Sequence, residues 1–317
     1  MATGAITNAY HLGPVLSCPE GGSETIQSEA NHVNDLRNGT AIITGASRGI
    51  GVYIARALAN EGMNLVLAAR STGDLDQVAA EITALGVRAL PVHCDVTDPN
   101  SRRALIDVAT AEFGDIDLLI NNAGIETITR FEEQDETDFE HTVQVNLLGA
   151  TALTRLVVPG MLERGRGHVV NVASLAGKAG TPYEAAYSTT KHGLIGFTRS
   201  LRGEYHGTGV GISVVCPGFV SDVGMYADSM VNIGVTSPWT LGISKPEKVA
   251  RAVLKAIKQN KAEIIVNPNA TRVLLTIAEA SPTLGEWLMR RLGAATVFRQ
   301  AVEIRAKESV ATEAAGN

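Results

Sequence analysis

The feature that most constrains the fold is a regular alternation of short apolar runs and longer amphipathic segments between residues 40 and 266. Several of the short runs are apolar almost throughout, as is typical of strands that are buried on both faces of a parallel sheet. The amphipathic segments are long enough to form the helices that connect parallel strands. The alternation therefore predicts an α/β fold: one doubly wound parallel sheet of about seven strands, with helices on both faces.

The predicted strands and helices alternate along the chain. The strands are expected at 40–44, 65–69, 88–93, 116–121, 168–173, 211–216 and 263–266. The main helices are expected at 49–61, 74–85, 100–113, 138–164, 184–205 and 246–260. No longer repeat is visible, which argues against a solenoid.

The segments before and after this alternation have a different character. Residues 1–38 are polar and without sustained periodicity, so we expect a mobile leader or an arm laid on a neighbouring surface. Residues 268–317 are expected to form a helical C-terminal extension, in which Pro282 divides the apolar stretch 271–291 into two helices. Core or subunit packing is its first expected role, shaping of a substrate entrance the second and membrane contact a distant third.

Composition narrows the class of protein. The chain has 317 residues, of which 45% are hydrophobic and 19% charged, enough for a sizeable core. A net charge of -6 without a basic run argues against nucleic-acid binding. No apolar run approaches the roughly 18 residues of a membrane span, and no secretory signal is evident, so we expect a cytoplasmic protein. Buried reduced thiols, rather than a disulfide framework or a metal site, are expected from Cys18, Cys94 and Cys216.

A glycine-rich turn follows the first predicted strand and opens the first predicted helix. Glycine permits positive φ and lets the backbone approach a ligand, and the start of a helix offers free amides to a pyrophosphate. This position favours dinucleotide binding over a simple tight turn, and hence a Rossmann-like domain over residues 39–267. The residues expected to contact the cofactor here are Gly45, Ser47, Arg48, Gly49, Ile50 and Gly51.

The end of the second predicted strand indicates which dinucleotide binds. It ends in Ala69-Arg70, with no Asp or Glu to hold the adenosine ribose hydroxyls. Ser47, Arg48 and Arg70 instead provide a hydroxyl and two guanidinium groups for a 2′-phosphate. We therefore expect NADP(H) to be preferred over NAD(H). The alternative is that both arginines are solvated surface residues.

Tyr187 and Lys191 lie four residues apart in a predicted helix and so share a face. A cation beside a phenol favours the phenolate, so Lys191 is expected to lower the pKa of Tyr187 from about 10. A shift to about 7 requires roughly 4 kcal/mol, which one nearby cation provides at an effective dielectric constant near 20. Tyr187 is thus predicted to exchange protons near neutral pH.

Further short motifs follow the glycine turn in a fixed order. Cys94-Asp95-Val96 follows the third predicted strand, 121–124 reads Asn-Asn-Ala-Gly, and 216–218 reads Cys-Pro-Gly. Together with the Tyr-x-x-x-Lys pattern, residues 40–266 resemble the short-chain dehydrogenase/reductase family. The resemblance implies cofactor contacts from Asp95, Val96, Asn122, Ala123, Gly124, Tyr187, Lys191, Pro217, Gly218 and Val220.

The same resemblance implies a catalytic set of Asn146, Ser174, Tyr187 and Lys191. Ser174 would orient the substrate oxygen and Tyr187 would give it a proton. Lys191 would also bond the nicotinamide ribose, and Asn146 would hold a water that replenishes the proton. No metal is needed for this chemistry.

The expected activity is that of an NADP-dependent oxidoreductase that interconverts a ketone or aldehyde and an alcohol by hydride transfer. Residues 221–243 resemble the family's mobile lid, and Met225, Tyr226, Met230 and Trp239 suggest a fairly apolar small-molecule substrate. A 3-oxoacyl thioester reductase, a non-catalytic dinucleotide-binding regulator and a nucleotide-sugar epimerase or dehydratase remain alternatives. Family members commonly form homodimers or homotetramers through the helices matching 138–164 and 184–205.

Overall fold

The computed structural model describes residues 35–237, 241–268, 271–291 and 293–315. Most of the expected leader, together with Cys18 and Trp239, lies outside this part of the chain. The two thiols inside it, Cys94 and Cys216, are buried and free, as predicted.

Seven parallel strands form one sheet in the order β3-β2-β1-β4-β5-β6-β7. The first and last strands occupy the predicted residues, and the others are shifted at one or both ends by one or two positions. The prediction of a doubly wound parallel sheet is confirmed. The strands are β1 (Thr40–Thr44), β2 (Asn64–Ala69), β3 (Ala89–His93), β4 (Leu118–Asn121), β5 (Gly167–Val172), β6 (Val210–Pro217) and β7 (Glu263–Val266).

The strand order creates a crevice beside β1. The chain runs outward from β1 through β2 to β3 at one edge, then returns to place β4 on the other side of β1. The connection after β1 leads toward one edge of the sheet and the connection after β4 toward the other, so a crevice forms at the carboxyl ends of these two strands. Open α/β sheets bind ligands at this position. Pro91 lies in the edge strand β3, where a missing N–H is tolerated.

Helices cover both faces of the sheet. Two hydrophobic layers result: Ile43 of β1 points into the layer shared with α1, α2 and α8, and Ile42 into the layer shared with α3 and α5. The helix α6 packs on this second face through Leu194 and Ile195. The helices of this part of the fold are α1 (Ile50–Asn60), α2 (Thr72–Thr83), α3 (Pro99–Phe113), α4 (Glu136–Val143), α5 (Ala150–Glu163), α6 (Ala185–Glu204), α7 (Met225–Ser229) and α8 (Pro246–Lys258).

A π-helical segment, Gln144–Gly149, joins α4 to α5 without a break. By length and composition alone, the resulting 28-residue run Glu136–Glu163 could cross a membrane. The prediction that no apolar run approaches the length of a membrane span is therefore wrong by helix length and mean hydropathy. Polar residues interrupt the apolar ones along this helix, so the sequence shows no unbroken apolar stretch there. Half of the apolar window is buried, and Leu153 and Val157 pack in the core, so the run is a core helix of this fold.

Three helices form the C-terminal extension: α9 (Thr271–Ala280), α10 (Pro282–Arg291) and α11 (Ala294–Ala315). Pro282 begins the second of them, as predicted. The sequence patterns did not assign α11, which packs on the lid of its own chain. The buried side chains at this contact are Ile128, Tyr226, Met230, Val235, Val297, Phe298, Ala301 and Val302.

Two ion pairs of Lys178 fix the start of the extension beside the sheet. Lys178, just after β5, has a buried side chain whose Nζ lies 2.6 Å from Oε1 of Glu279 in α9 and 3.3 Å from Oε1 of Glu263 in β7. The segment after β5 also carries Ser174. The extension is therefore connected to the same loop as a predicted catalytic residue.

Candidate active site

The carboxyl ends of the central strands open into one continuous cleft of about 470 Å³. It extends from the glycine turn after β1, past Tyr187, to the lid and the C-terminal extension. Of the predicted site residues, Gly51 and Asn146 alone do not line it, because both lie behind residues that do. The topology thus brings together segments that are far apart in the sequence.

The glycine turn has the conformation that a close backbone approach requires. Gly45 and Gly49 have φ values of 65° and 62°, in the left-handed region that favours glycine. A Cβ on Gly45 would lie 2.9 Å from Cα of Ala123. The N-cap position of α1 is Gly49, which has no side chain to cap the first turn, and both Gly49 and Ile50 line the cleft. This cradle fits the pyrophosphate of a dinucleotide.

Thr44 and Asn122 hold the cradle in place. Oγ1 of Thr44 accepts hydrogen bonds from the backbone N–H groups of Asn122 and Ala123, each at 3.0 Å. Nδ2 of Asn122 donates to the carbonyl oxygens of Thr44 and Gly45, also at 3.0 Å. Sequence reasoning missed the role of Thr44, although its position at the end of a buried strand was a usable signal.

The predicted 2′-phosphate site lies at the outer end of the cleft. Ser47, Arg48 and Arg70 all line this end, and both arginines are exposed. Arg48 pairs with Asp228 of the lid at 3.0 Å, a contact that the sequence did not predict. An exposed ion pair of this kind contributes little stability, so a phosphate could replace Asp228 as the partner of Arg48.

Asp95 lies two residues after β3 and lines the cleft. Its Oδ1 accepts hydrogen bonds from the backbone N–H and the hydroxyl of Thr97, both at 2.8 Å. Burial alone would raise the pKa of Asp95, but these bonds and the charge of Arg70 lower it below its usual value. The loop is thereby fixed around an ionised carboxylate.

Ser174, Tyr187 and Lys191 all line the cleft. Tyr187 is 8% exposed and lines the cleft together with Ser174, whose hydroxyl lowers the pKa of the phenol by hydrogen bonding. Lys191 is 3% exposed; its Nζ donates to the carbonyl oxygen of Val172 at 3.0 Å and lies 5.4 Å from the centre of the Tyr187 ring. The phenol, the hydroxyl and the ammonium therefore face the same space.

The prediction that Lys191 lowers the pKa of Tyr187 is wrong when only the protein's own groups act on the phenol. Burial, together with the carboxyl groups of Glu126 and Glu184, raises the pKa of Tyr187 above 10, while the bond to Ser174 lowers it by a smaller amount. Burial also lowers the pKa of Lys191 to about 8. The sequence estimate counted one cation but neither the desolvation nor the two carboxyl groups.

Asn146 supports the site from behind. The π-helical segment turns its buried side chain toward the loop after β4, where Oδ1 accepts from the N–H of Ile125 and Nδ2 donates to the Ile125 carbonyl, both at 2.8 Å. Nδ2 also lies 3.2 Å from Oγ1 of Thr190 in α6. These bonds fix α4–α5, the β4 loop and α6 against one another beside Tyr187.

The inner wall of the cleft is apolar and comes from two regions. The lid supplies Met225, Tyr226 and Met230, three of the four side chains expected there. Leu274, Leu275 and Phe298 of the C-terminal extension complete the wall. From the sequence, shaping of a substrate entrance was only the second expected role of the segment with Leu274 and Leu275, and Phe298 was not indicated, because nothing in the local pattern shows that the extension folds back over the lid.

A family model described as short chain dehydrogenase matches residues 39–231. The chain is a member of the short-chain dehydrogenase family. The match begins just before β1 and ends in the lid, so it covers the glycine turn and the Ser174, Tyr187 and Lys191 positions. The C-terminal extension lies beyond it.

Relatives and solved structures agree with this membership. The chain is 43% identical over 278 residues to the ketoacyl reductase HetN of Nostoc sp., covering 86% of this chain and 96% of that protein. The crystal structure of a variant actinorhodin polyketide ketoreductase with NADPH is similar with a TM-score of 0.68 and 32% identity, covering 72% of this chain and 95% of the other.

A second structure, an alcohol dehydrogenase from the archaeon Thermococcus sibiricus complexed with 5-hydroxy-NADP, is similar with a TM-score of 0.63 and 32% identity. It covers 72% of this chain and 96% of the other. This short-chain dehydrogenase is therefore an oxidoreductase that uses a nicotinamide dinucleotide. In the described part of the chain, no three His, Cys, Asp or Glu side chains cluster as a metal site would require.

Proposed function

We propose that the protein is an NADP-dependent ketoreductase that reduces a carbonyl group on a fairly apolar small molecule. The observation that carries this proposal is the position of Ser174, Tyr187 and Lys191. They line the same cleft as the glycine cradle and the apolar wall. A carbonyl between these two regions meets hydrogen-bond donors at its oxygen and a cofactor at its carbon.

The protein's own groups control the proton and the developing charge. NADPH held by the glycine cradle would supply the hydride for the carbonyl carbon. As that carbon–oxygen π bond breaks, its electron pair moves to oxygen, which takes the proton of the Tyr187 hydroxyl. Ser174 stabilises and orients the same oxygen, and Lys191 holds a positive charge close to the phenolate that remains. Return of a proton through a water near Asn146 remains a proposal.

Arg48 and Arg70 support the preference for NADP. Replacing both with alanine is expected to weaken NADPH binding about tenfold or more, because two cationic partners of the 2′-phosphate are lost. Binding of NADH should change less than about twofold. Dissociation constants measured by fluorescence titration check this, and the exposed Arg103→Ala is a matched control on α3. Equal losses for NADPH and NADH would contradict the 2′-phosphate assignment.

A 3-oxoacyl thioester reductase is the second candidate. It is supported by the name of the 43% identical relative, a ketoacyl reductase, and by the polyketide ketoreductase among the similar structures. Both candidates use the same catalytic groups. They differ in what the apolar wall of Leu274, Leu275 and Phe298 holds: a free ketone or an acyl chain.

A substrate panel separates these candidates. NADPH oxidation is followed by absorbance with cyclic and linear ketones, aldehydes and 3-oxoacyl thioesters of a short pantetheine analogue. Turnover of free carbonyl compounds supports the first candidate, and turnover of thioesters alone supports the second. Tight NADPH binding without turnover of any carbonyl would instead indicate a dinucleotide-binding regulator. A cytoplasmic location and a homodimer or homotetramer remain predictions, which fractionation and native mass measurement test.

A further inference from the structure

Two glutamates that the proposed reaction does not use line the cleft beside Tyr187. Glu126 follows the Asn-Asn-Ala-Gly turn after β4, and Glu184 directly precedes α6, three residues before Tyr187. Glu184 is 3% exposed, and the segments that carry the two glutamates are joined by a backbone hydrogen bond of 3.0 Å from the N–H of Thr129 to the carbonyl oxygen of Tyr183. Two carboxyl groups buried in one cleft disfavour double ionisation, because like charges repel and burial penalises each charge.

The surroundings distinguish the two carboxyl groups. Oε1 of Glu126 accepts a hydrogen bond of 2.5 Å from the hydroxyl of Ser229, at the end of the lid helix α7. Arg305 of α11 is near, because it donates to the carbonyl oxygens of Ser229 at 2.8 Å and Ile128 at 3.4 Å. Burial raises the pKa of Glu126, but the Ser229 donor and the Arg305 cation both oppose that rise by favouring the charged form. These contacts select Glu126 as the carboxylate.

Glu184 has a different environment. Its strongest influences are burial and the neighbouring Glu126, and together they raise its pKa well above the usual value. Of the two carboxyl groups, Glu184 is therefore the one for which burial and like-charge repulsion most favour the protonated form. The pair then carries one negative charge in total, and that charge is held on Glu126.

We propose that Glu126 and Glu184 share one proton, and that the single charge held on Glu126 keeps Tyr187 in its hydroxyl form and so favours carbonyl reduction over alcohol oxidation. Reduction uses the Tyr187 hydroxyl, whereas oxidation needs the phenolate as the base that takes the alcohol's proton. A fixed negative charge disfavours the second form. This role rests on the proposed function, and it makes Glu126 a positioning residue rather than a catalytic one.

The other charged and titratable groups near this pair do not cancel its effect. Lys191 of α6 faces Tyr187 and favours the phenolate, but burial weakens its charged form. Burial raises the pKa of Cys216 in β6 to about 12, so that thiol stays neutral. Asp228 of the lid adds negative charge near Glu126, and Arg305 offsets part of it.

Glu126→Gln and Glu184→Gln test the proposal with opposite expectations. Glu126→Gln removes the charge, because Glu184 then stays neutral in its buried position. The pH midpoint of alcohol oxidation by this variant should fall by about one unit, so its oxidation rate below the midpoint should be about tenfold higher. The rate of carbonyl reduction at pH 7 should change less than about threefold. Glu184→Gln leaves Glu126 ionised, so its midpoint should stay within about 0.3 unit. The exposed Glu132→Gln is the control.

A titration that needs no turnover separates this proposal from the proposed function. Tyrosines labelled with ¹³C at Cζ are followed by NMR in the NADP-bound protein, and the Tyr187 signal is identified by its loss in Tyr187→Phe. Tyr187 should begin to ionise about one pH unit lower in Glu126→Gln than in the unaltered protein. The same onset in both proteins, or no ionisation up to about pH 11 in either, would overturn the proposal. Equal shifts of this onset in Glu126→Gln and Glu184→Gln would show that the two glutamates do not share one proton.

Discussion

Replacement of Tyr187 with phenylalanine is expected to lower kcat about a thousandfold, the largest effect of any single substitution considered. The variant keeps the aromatic ring that lines the cleft beside Lys191. It loses the hydroxyl that gives its proton to the substrate oxygen. Steady-state kinetics with the best substrate of the panel measure the loss.

Cofactor binding should survive this change, because Tyr187 contributes only one side of a long cleft. The dissociation constant for NADPH is expected to change less than about threefold. Tyr183→Phe is the matched control: it removes a phenol four residues away, whose oxygen meets Arg299 at 3.3 Å outside the cleft. Substantial activity in Tyr187→Phe would exclude Tyr187 as the proton donor.

Gly51→Ala is expected to have the second largest effect, on both stability and cofactor binding. A Cβ at this position would lie 2.2 Å from the carbonyl oxygen of Gly45 and 3.0 Å from Cα of Ala46. Both atoms belong to the backbone, so the cradle itself must move. We expect a loss of about 3 kcal/mol in the free energy of unfolding and at least about tenfold weaker NADPH binding. Urea unfolding and fluorescence titration measure the two effects.

Gly73→Ala provides the control for this prediction. Gly73 lies in the first turn of α2, and a Cβ there would meet nothing within 4 Å. Alanine is the better helix former, so this variant should be as stable as the unaltered protein or slightly more so. If Gly51→Ala behaved like Gly73→Ala, the close contact with Gly45 would not govern the cradle.

The strands could be read from the sequence because burial on both faces leaves a local signature. β1 and β7 occupy the residues expected from apolar runs alone. The cradle was equally accessible, since glycines between a strand and a helix have few other physical explanations. Pro282 located the break between α9 and α10, because proline cannot continue a preceding helix.

Other features depend on contacts between distant segments. The π-helical turn that directs Asn146 toward Ile125 has no distinct sequence pattern, and neither does the return of α11 over the lid. The direction of the Tyr187 pKa shift was wrong for the same reason. Lys191 is visible four residues away in the sequence, whereas Glu126 lies 61 positions upstream and approaches only when β4 and α6 come together.

The sequence by itself determined the parallel sheet, the cradle at Gly45 and Gly49, and the grouping of Ser174, Tyr187 and Lys191. Periodicity and backbone freedom are properties of short segments, and a resemblance of ordered motifs needs no coordinates. The tertiary structure decided which side chains close the cleft and which charge surrounds Tyr187. Desolvation and electrostatic interactions depend on distances through space, and those distances exist only in the folded chain.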